Sequence, residues 1–96
     1  MSIRLIITIT AAPGRAAELG AALQARCEEV AGEPGCEQFE VLQSLVNPDQ
    51  LVLLERWQDQ AALDVHAKVN ETRARFSSEL VAGASQREDY EYNRTR

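Results

Sequence analysis

Leu51 to Leu54 reads Leu-Val-Leu-Leu, and Glu55, Arg56 and Trp57 follow directly. Side chains along a strand point alternately to the two faces of a sheet, so a strand that opens with four apolar residues needs cover on both sides. The N-terminal segment "IRLIITIT" carries the same demand. Ile3, Leu5, Ile7 and Ile9 share one face, Ile6 adds an apolar group to the other, and the β-branched content makes the segment a strand over Ile3–Thr10.

The segments between these strands set the topology. After the turn "AAPGR", Leu19, Leu23, Cys27 and Val30 recur at helical spacing, which predicts an amphipathic helix from Arg15 to Ala31 with Gly32 as terminator. "EPGC" places Pro34 and Gly35 at the centre of a type II turn, and Phe39, Val41 and Leu45 then share one face of a second strand within "CEQFEVLQSLV". "NPDQ" is a tight turn that folds this strand back on "LVLLERW" as an antiparallel hairpin. Asp59 is placed to cap a second helix whose inward face begins with Ala62, Leu63 and His66. A break near Asn70 predicts a further helical segment striped by Val69, Arg73, Phe76 and Leu80. "GASQRED" reads as a linker and "YEYNRT" as a polar edge strand.

The order is β-α-β-β-α-β, a ferredoxin-like α+β fold with a four-stranded antiparallel sheet and two helices on one face, in one domain over residues 1–96. Two helices cover one face only. The apolar residues on the other face predict a homodimer in which two sheets pack face to face. Ten Lys and Arg against fifteen Asp and Glu give a net charge of −5 with no basic stripe, so neither nucleic acid nor an acidic membrane surface is an expected partner. The short apolar run at the N-terminus suits a strand better than a signal peptide, and the expected location is cytoplasmic. Cys27 and Cys36 are the only cysteines and lack the spacing of a zinc site; neither is the expected nucleophile.

The block from Glu33 to His66 resembles the antibiotic biosynthesis monooxygenase family of dimeric α+β barrels. It carries Glu-Pro-Gly-Cys at 33–36, the aromatic Phe39, the Asn47-Pro48 turn, the Glu55/Trp57 pair, the acidic cap Asp59, Ala62-Leu63 and then His66. The resemblance implies a pocket between sheet and helices in each subunit, and insertion of oxygen into an electron-rich phenol, quinol or anthrone with no cofactor, neither metal nor flavin. Haem-degrading relatives of similar fold use an Asn on the first strand and a His about ten residues beyond the position of His66. This chain has Thr8 and Thr10 on its first strand and Phe76 at the later position, and a phenyl ring cannot ligate iron. Many quinol-oxidising relatives carry a second His four or five residues after the first, where this chain has Asn70 and Glu71.

For such a reaction the candidate catalytic residues are His66 and Trp57. Triplet oxygen reacts slowly with closed-shell molecules, so the protein must first make an electron-rich anion. A phenol titrates near pH 10 and a free imidazole near about 6.5, so a His66 base needs donors that stabilise the oxyanion. Thr8, Thr10 or the Trp57 N–H could be those donors. Phe39, Trp57 and Phe76 would form a flat apolar pocket for a small aromatic ligand, and Glu55 either pairs with a cation such as Arg73 or sits at the pocket rim. The same residues also suit two other readings: a dimeric binding module that has lost the reaction, and a structural dimer whose pocket is filled by its own side chains.

Overall fold

The computed structural model describes residues 2–92. β1 (Ser2–Thr10) leads into α1 (Ala16–Val30), β2 (Cys36–Gln43), β3 (Gln50–Trp57), α2 (Gln60–Glu71), a 3-10 turn at Ser78–Leu80 and β4 (Gln86–Tyr92). The strands form one antiparallel sheet in the order β2-β3-β1-β4, which is the ferredoxin-like arrangement expected from the sequence. Among the described residues no helix is long and apolar enough to cross a membrane.

Register divides the sheet into two chemically different faces. Ile3 lies opposite Trp57, Leu5 opposite Glu55 and Ile7 opposite Leu53, and Phe39 of β2 faces Glu55 from the other side. These odd-numbered side chains meet the helices. Leu19, Leu23 and Val30 of α1 are wholly buried against them, with Leu63 of α2 nearly so, and Cys27 completes the predicted stripe at partial burial. Burying each such aliphatic side chain contributes about 1.5–3 kcal/mol, so the stripe rather than the helix's own propensity holds α1 in place.

The turns follow the local chemistry. In "EPGC" the Cys36 N–H donates to the Glu33 carbonyl at 3.1 Å, and Gly35 takes φ +80°, the left-handed position a type II turn requires. A Cβ on Gly35 would also come within 2.5 Å of the Ala62 Cβ, so the turn lies directly against α2. The Gln50 N–H closes the "NPDQ" turn on Asn47 at 2.9 Å. Asp59 caps α2 as predicted, accepting from the Ala62 N–H at 2.8 Å.

Three expectations are corrected. β2 ends at Gln43, and Leu45, expected to share the face of Phe39 and Val41, is 98% exposed. The Ser44 hydroxyl accepts from the Val46 and Asn47 N–H groups, which draws the chain out of the ladder. Among the described residues no separate α-helix follows Asn70: α2 runs through it to Glu71, and the chain then opens into irregular backbone before the 3-10 turn. Side chains claim this stretch instead. Arg26 donates to the Ala74 carbonyl at 2.7 Å and to Asn70 Oδ1 at 3.2 Å, while Arg73 turns back to Glu29 and Glu33. Finally, β4 begins at Gln86, inside the segment read as a linker, and pairs with β1 from Thr8↔Gln86 to Ser2↔Tyr92. It is an edge strand, as predicted, and Asn93 to Thr95 of the predicted strand lie outside the described residues.

Candidate active site

His66 sits on the inward face of α2 and is 7% exposed. Its Nδ1 lies 3.1 and 3.2 Å from the two carboxylate oxygens of Glu33, the first residue of the Gly35 turn. Arg73 grips Glu33 from behind, with Nη2 2.9 Å from Oε2. A carboxylate held by a guanidinium accepts hydrogen bonds and cannot donate them, so the neutral imidazole carries its proton on Nδ1 and leaves Nε2 as an acceptor.

Below the imidazole is the Trp57 indole, fully buried, with ring centroids 4.6 Å apart and planes inclined by 31°. Phe39 packs at 5.8 Å in a tilted contact. The Trp57 Nε1–H donates to Glu55 Oε1 at 3.0 Å, and Glu55 is 2% exposed. One indole therefore supports both polar groups: its face carries His66 and its edge holds Glu55.

Glu55 and His66 open onto the same cavity of about 300 Å³ between α2 and the sheet, walled by Leu5, Ile7, Phe39 and Leu53. Phe76, Asn70 and Arg26 stand on its helix side, with the Arg26 guanidinium 4.7 Å above the Phe76 ring, and Arg87 enters from β4. Burial pushes the Glu55 carboxyl above the usual carboxylate range; the Trp57 hydrogen bond, the charge His66 carries when protonated and the Arg87 guanidinium offset this only in part. Among the described residues no three His, Cys, Asp or Glu side chains converge to hold a metal ion.

Of the sequence-derived candidates, His66, Glu55, Phe39 and Phe76 come together around this cavity. Trp57 is adjacent but is not part of the wall, and its N–H is committed to Glu55 rather than aimed at a ligand. Thr8 and Thr10 are corrected. They have the parity of Ile6, not of Leu5 and Ile7, so they lie on the sheet face away from the helices and cannot donate into this cavity. The expected Glu55–Arg73 pair does not form, because Arg73 is taken by Glu29 and Glu33. Two further residues at the site carry no apolar spacing that marks them in the sequence: Glu33 opens a turn, and Arg87 lies in an all-polar segment. The Glu-Pro-Gly turn was the available signal for Glu33, since a turn packed on α2 brings its first residue to that helix.

The buried carboxyl makes a stability prediction. The unfolded Glu55 titrates near 4.5 and the folded one higher, so over that window the native state holds the extra proton and stability falls as pH rises. Glu55→Gln keeps an acceptor for Trp57 but removes the ionisation. Its melting temperature should exceed that of the wild type at pH 8, and the gain should shrink toward pH 4; each kcal/mol appears as about 4–8 °C in a chain of this size. Thermal unfolding at both pH values checks this.

The family model for antibiotic biosynthesis monooxygenase matches residues 2–76. Among solved structures, PA3566 of Pseudomonas aeruginosa is 29% identical with a TM-score of 0.79, over 93% of this chain and 91% of that one. A conserved protein of Methanosarcina mazei is 26% identical with a TM-score of 0.78, over 94% and 91% of the two chains. SO0527 of Shewanella oneidensis is 25% identical with a TM-score of 0.81, over 93% and 88%. No curated protein matches the sequence.

Proposed function

This chain belongs to the antibiotic biosynthesis monooxygenase family, and on that footing we propose that it oxidises a small quinol-type phenol with molecular oxygen, using His66 as base and no metal or flavin. The observation that carries this reading is the setting of His66: a ring clamped by Glu33, backed by Trp57 and open to an apolar-walled cavity. Nε2 takes the phenolic proton, and Glu33 holds the imidazolium that results. The anion passes an electron to oxygen, the radicals combine at a ring C–H carbon, the His66 imidazolium returns its proton to the peroxide, and loss of water, made from that carbon's hydrogen and the terminal OH, leaves a carbonyl. A volume of about 300 Å³ lies at the small end of ligand sites and favours one or two fused rings over larger polycyclic phenols.

The same reading includes a homodimer. Ile6, Val52, Leu54 and Leu42 form an apolar centre on the sheet face that the helices leave uncovered, and Arg4, Arg56, Glu40 and Glu88 surround it. A second copy of this face would bury that centre, with charges of both signs at its margin. Light scattering should give twice the chain mass at micromolar concentration, and Leu54→Glu should halve it; a wild-type monomer would remove the dimer.

The activity is tested by oxygen uptake with a panel of hydroquinones and anthrones. Uptake should depend on protein, and His66→Ala should abolish it. Equal rates for the two proteins would sink the assigned mechanism.

A further inference from the structure

We propose that Glu55 and His66 form one proton-transfer pair that moves the α-hydrogen of an enolisable aromatic ketone held in the cavity, an activity that needs no oxygen. The inference rests on the same site as the proposed oxidation but on a different step and a different substrate class.

The structure places two protic groups of opposite character on one cavity. His66 presents an acceptor nitrogen, because Nδ1 is occupied by Glu33. Glu55 presents a carboxyl whose Oε1 is held by Trp57, while among the described residues no side chain bonds Oε2. The groups that face Glu55 are His66 from α2, Arg87 and Asp89 from β4, the Trp57 N–H beside it on β3, and the thiols of Cys27 and Cys36 from α1 and β2. Arg87 is chelated by Asp89 at 2.6 and 2.7 Å, which leaves its charge largely answered, and among the described residues no cation forms an ion pair with Glu55. Desolvation therefore dominates at Glu55 and pushes its carboxyl above the usual carboxylate range. An acceptor nitrogen and a desolvated carboxyl on one apolar-walled cavity are the two groups that proton abstraction next to a carbonyl uses.

The step balances without a co-reactant. His66 Nε2 takes the α-hydrogen as a proton, the C–H pair becomes the C=C bond, and the carbonyl π pair moves onto oxygen, which receives the Glu55 proton. The bound enol then sits between an imidazolium and a carboxylate. Reversal restores both, and in D₂O the proton returned to carbon is replaced by a deuteron. Trp57 acts as a positioning residue here, because its edge and face fix the acid and the base on the same ring.

The test is deuterium incorporation into 2-tetralone in D₂O under argon, followed by proton NMR against a protein-free control. Wild-type protein should accelerate exchange by about 10²-fold or more. Glu55→Gln and His66→Gln should each lose it, and the double variant should be no slower than either single one, since both groups act in one step. Circular dichroism and melting curves on the same samples establish that each variant is folded. Exchange at the control rate with the wild type, or at the wild-type rate with folded Glu55→Gln, overturns the inference. Exchange under argon without oxygen uptake in air would keep it while removing the oxidase reading, and uptake without exchange would do the reverse.

Discussion

Replacing Trp57 by alanine should lower stability by about 3–5 kcal/mol, the range for truncating a fully buried aromatic ring. Trp57 is the largest of the wholly buried side chains and ends β3 where the strand, α2 and the Glu-Pro-Gly turn converge. Small domains are stable by only about 5–15 kcal/mol, so the loss would take a large part of the total. Urea denaturation should show it as a lower midpoint with an unchanged slope if the fold is kept. The loss has two parts. Removing the ring empties the space under His66, and removing the N–H leaves Glu55 buried without the bond that now reaches it at 3.0 Å. Trp57→Phe separates them, since a phenyl ring retains most of the packing and supplies no donor. Phenylalanine should lose about 1–3 kcal/mol, the cost of an unsatisfied buried polar group. It should also move the Glu55 carboxyl further upward, because the indole bond favours its charged form. A carboxylic C=O stretch that persists to higher pH in Trp57→Phe than in the wild type would report that shift. An equal loss for Phe and Ala would mean that the hydrogen bond, rather than the ring, carries the stability.

Periodicity was informative where burial decides conformation. The stripe Leu19–Leu23–Val30, the strand faces of β1 and β3, the Asp59 cap and the turns at Pro34 and Pro48 follow from patterns a few residues long. It failed where polar side chains decide. Ser44 ends β2 by binding two backbone N–H groups, and nothing in the apolar spacing of Val41 and Leu45 announces that. Gln86 to Asp89 read as linker because all four are polar, although β4 needs only the free edge of β1 and can leave much of its length in water. The site divides in the same way. His66, Phe39 and Phe76 were visible as inward-facing members of their elements, whereas the pairing of Glu33 with His66 spans thirty-three positions and depends on how the Gly35 turn lies on α2. The threonines failed by parity, since one residue along a strand changes the face of the sheet. The two-faced apolar pattern of β3 was more durable, as Val52 and Leu54 remain only half-buried in the single chain.

Glu33→Gln should lower the rate of either proton-transfer reaction by about 10² or more while leaving substrate affinity little changed. Glu33 is not part of the cavity wall, so a ligand loses no contact when it is altered. What changes is the imidazole. A carboxylate at 3.1 Å from Nδ1 fixes the proton on that nitrogen and stabilises the charge that forms when Nε2 accepts a second one. A neutral amide keeps a possible hydrogen bond but loses the charge, and it can turn its NH₂ group toward Nδ1 and favour the opposite tautomer. Arg73 then retains Glu29 as its partner, so the variant should remain folded. The readout that separates positioning from general damage is nitrogen NMR. His66 is the only histidine in the chain, so its two ring nitrogens need no assignment against others. In the wild type the neutral ring should be protonated at Nδ1, and in Glu33→Gln a substantial share should move to Nε2, with kcat reduced and KM near its original value. Glu33→Asp is too short to span the same gap and should lose rate in the same direction. An unchanged tautomer with full activity in Glu33→Gln would show that the Gly35 turn only packs against α2, and that the orientation of His66 comes from the Trp57 and Phe39 rings alone.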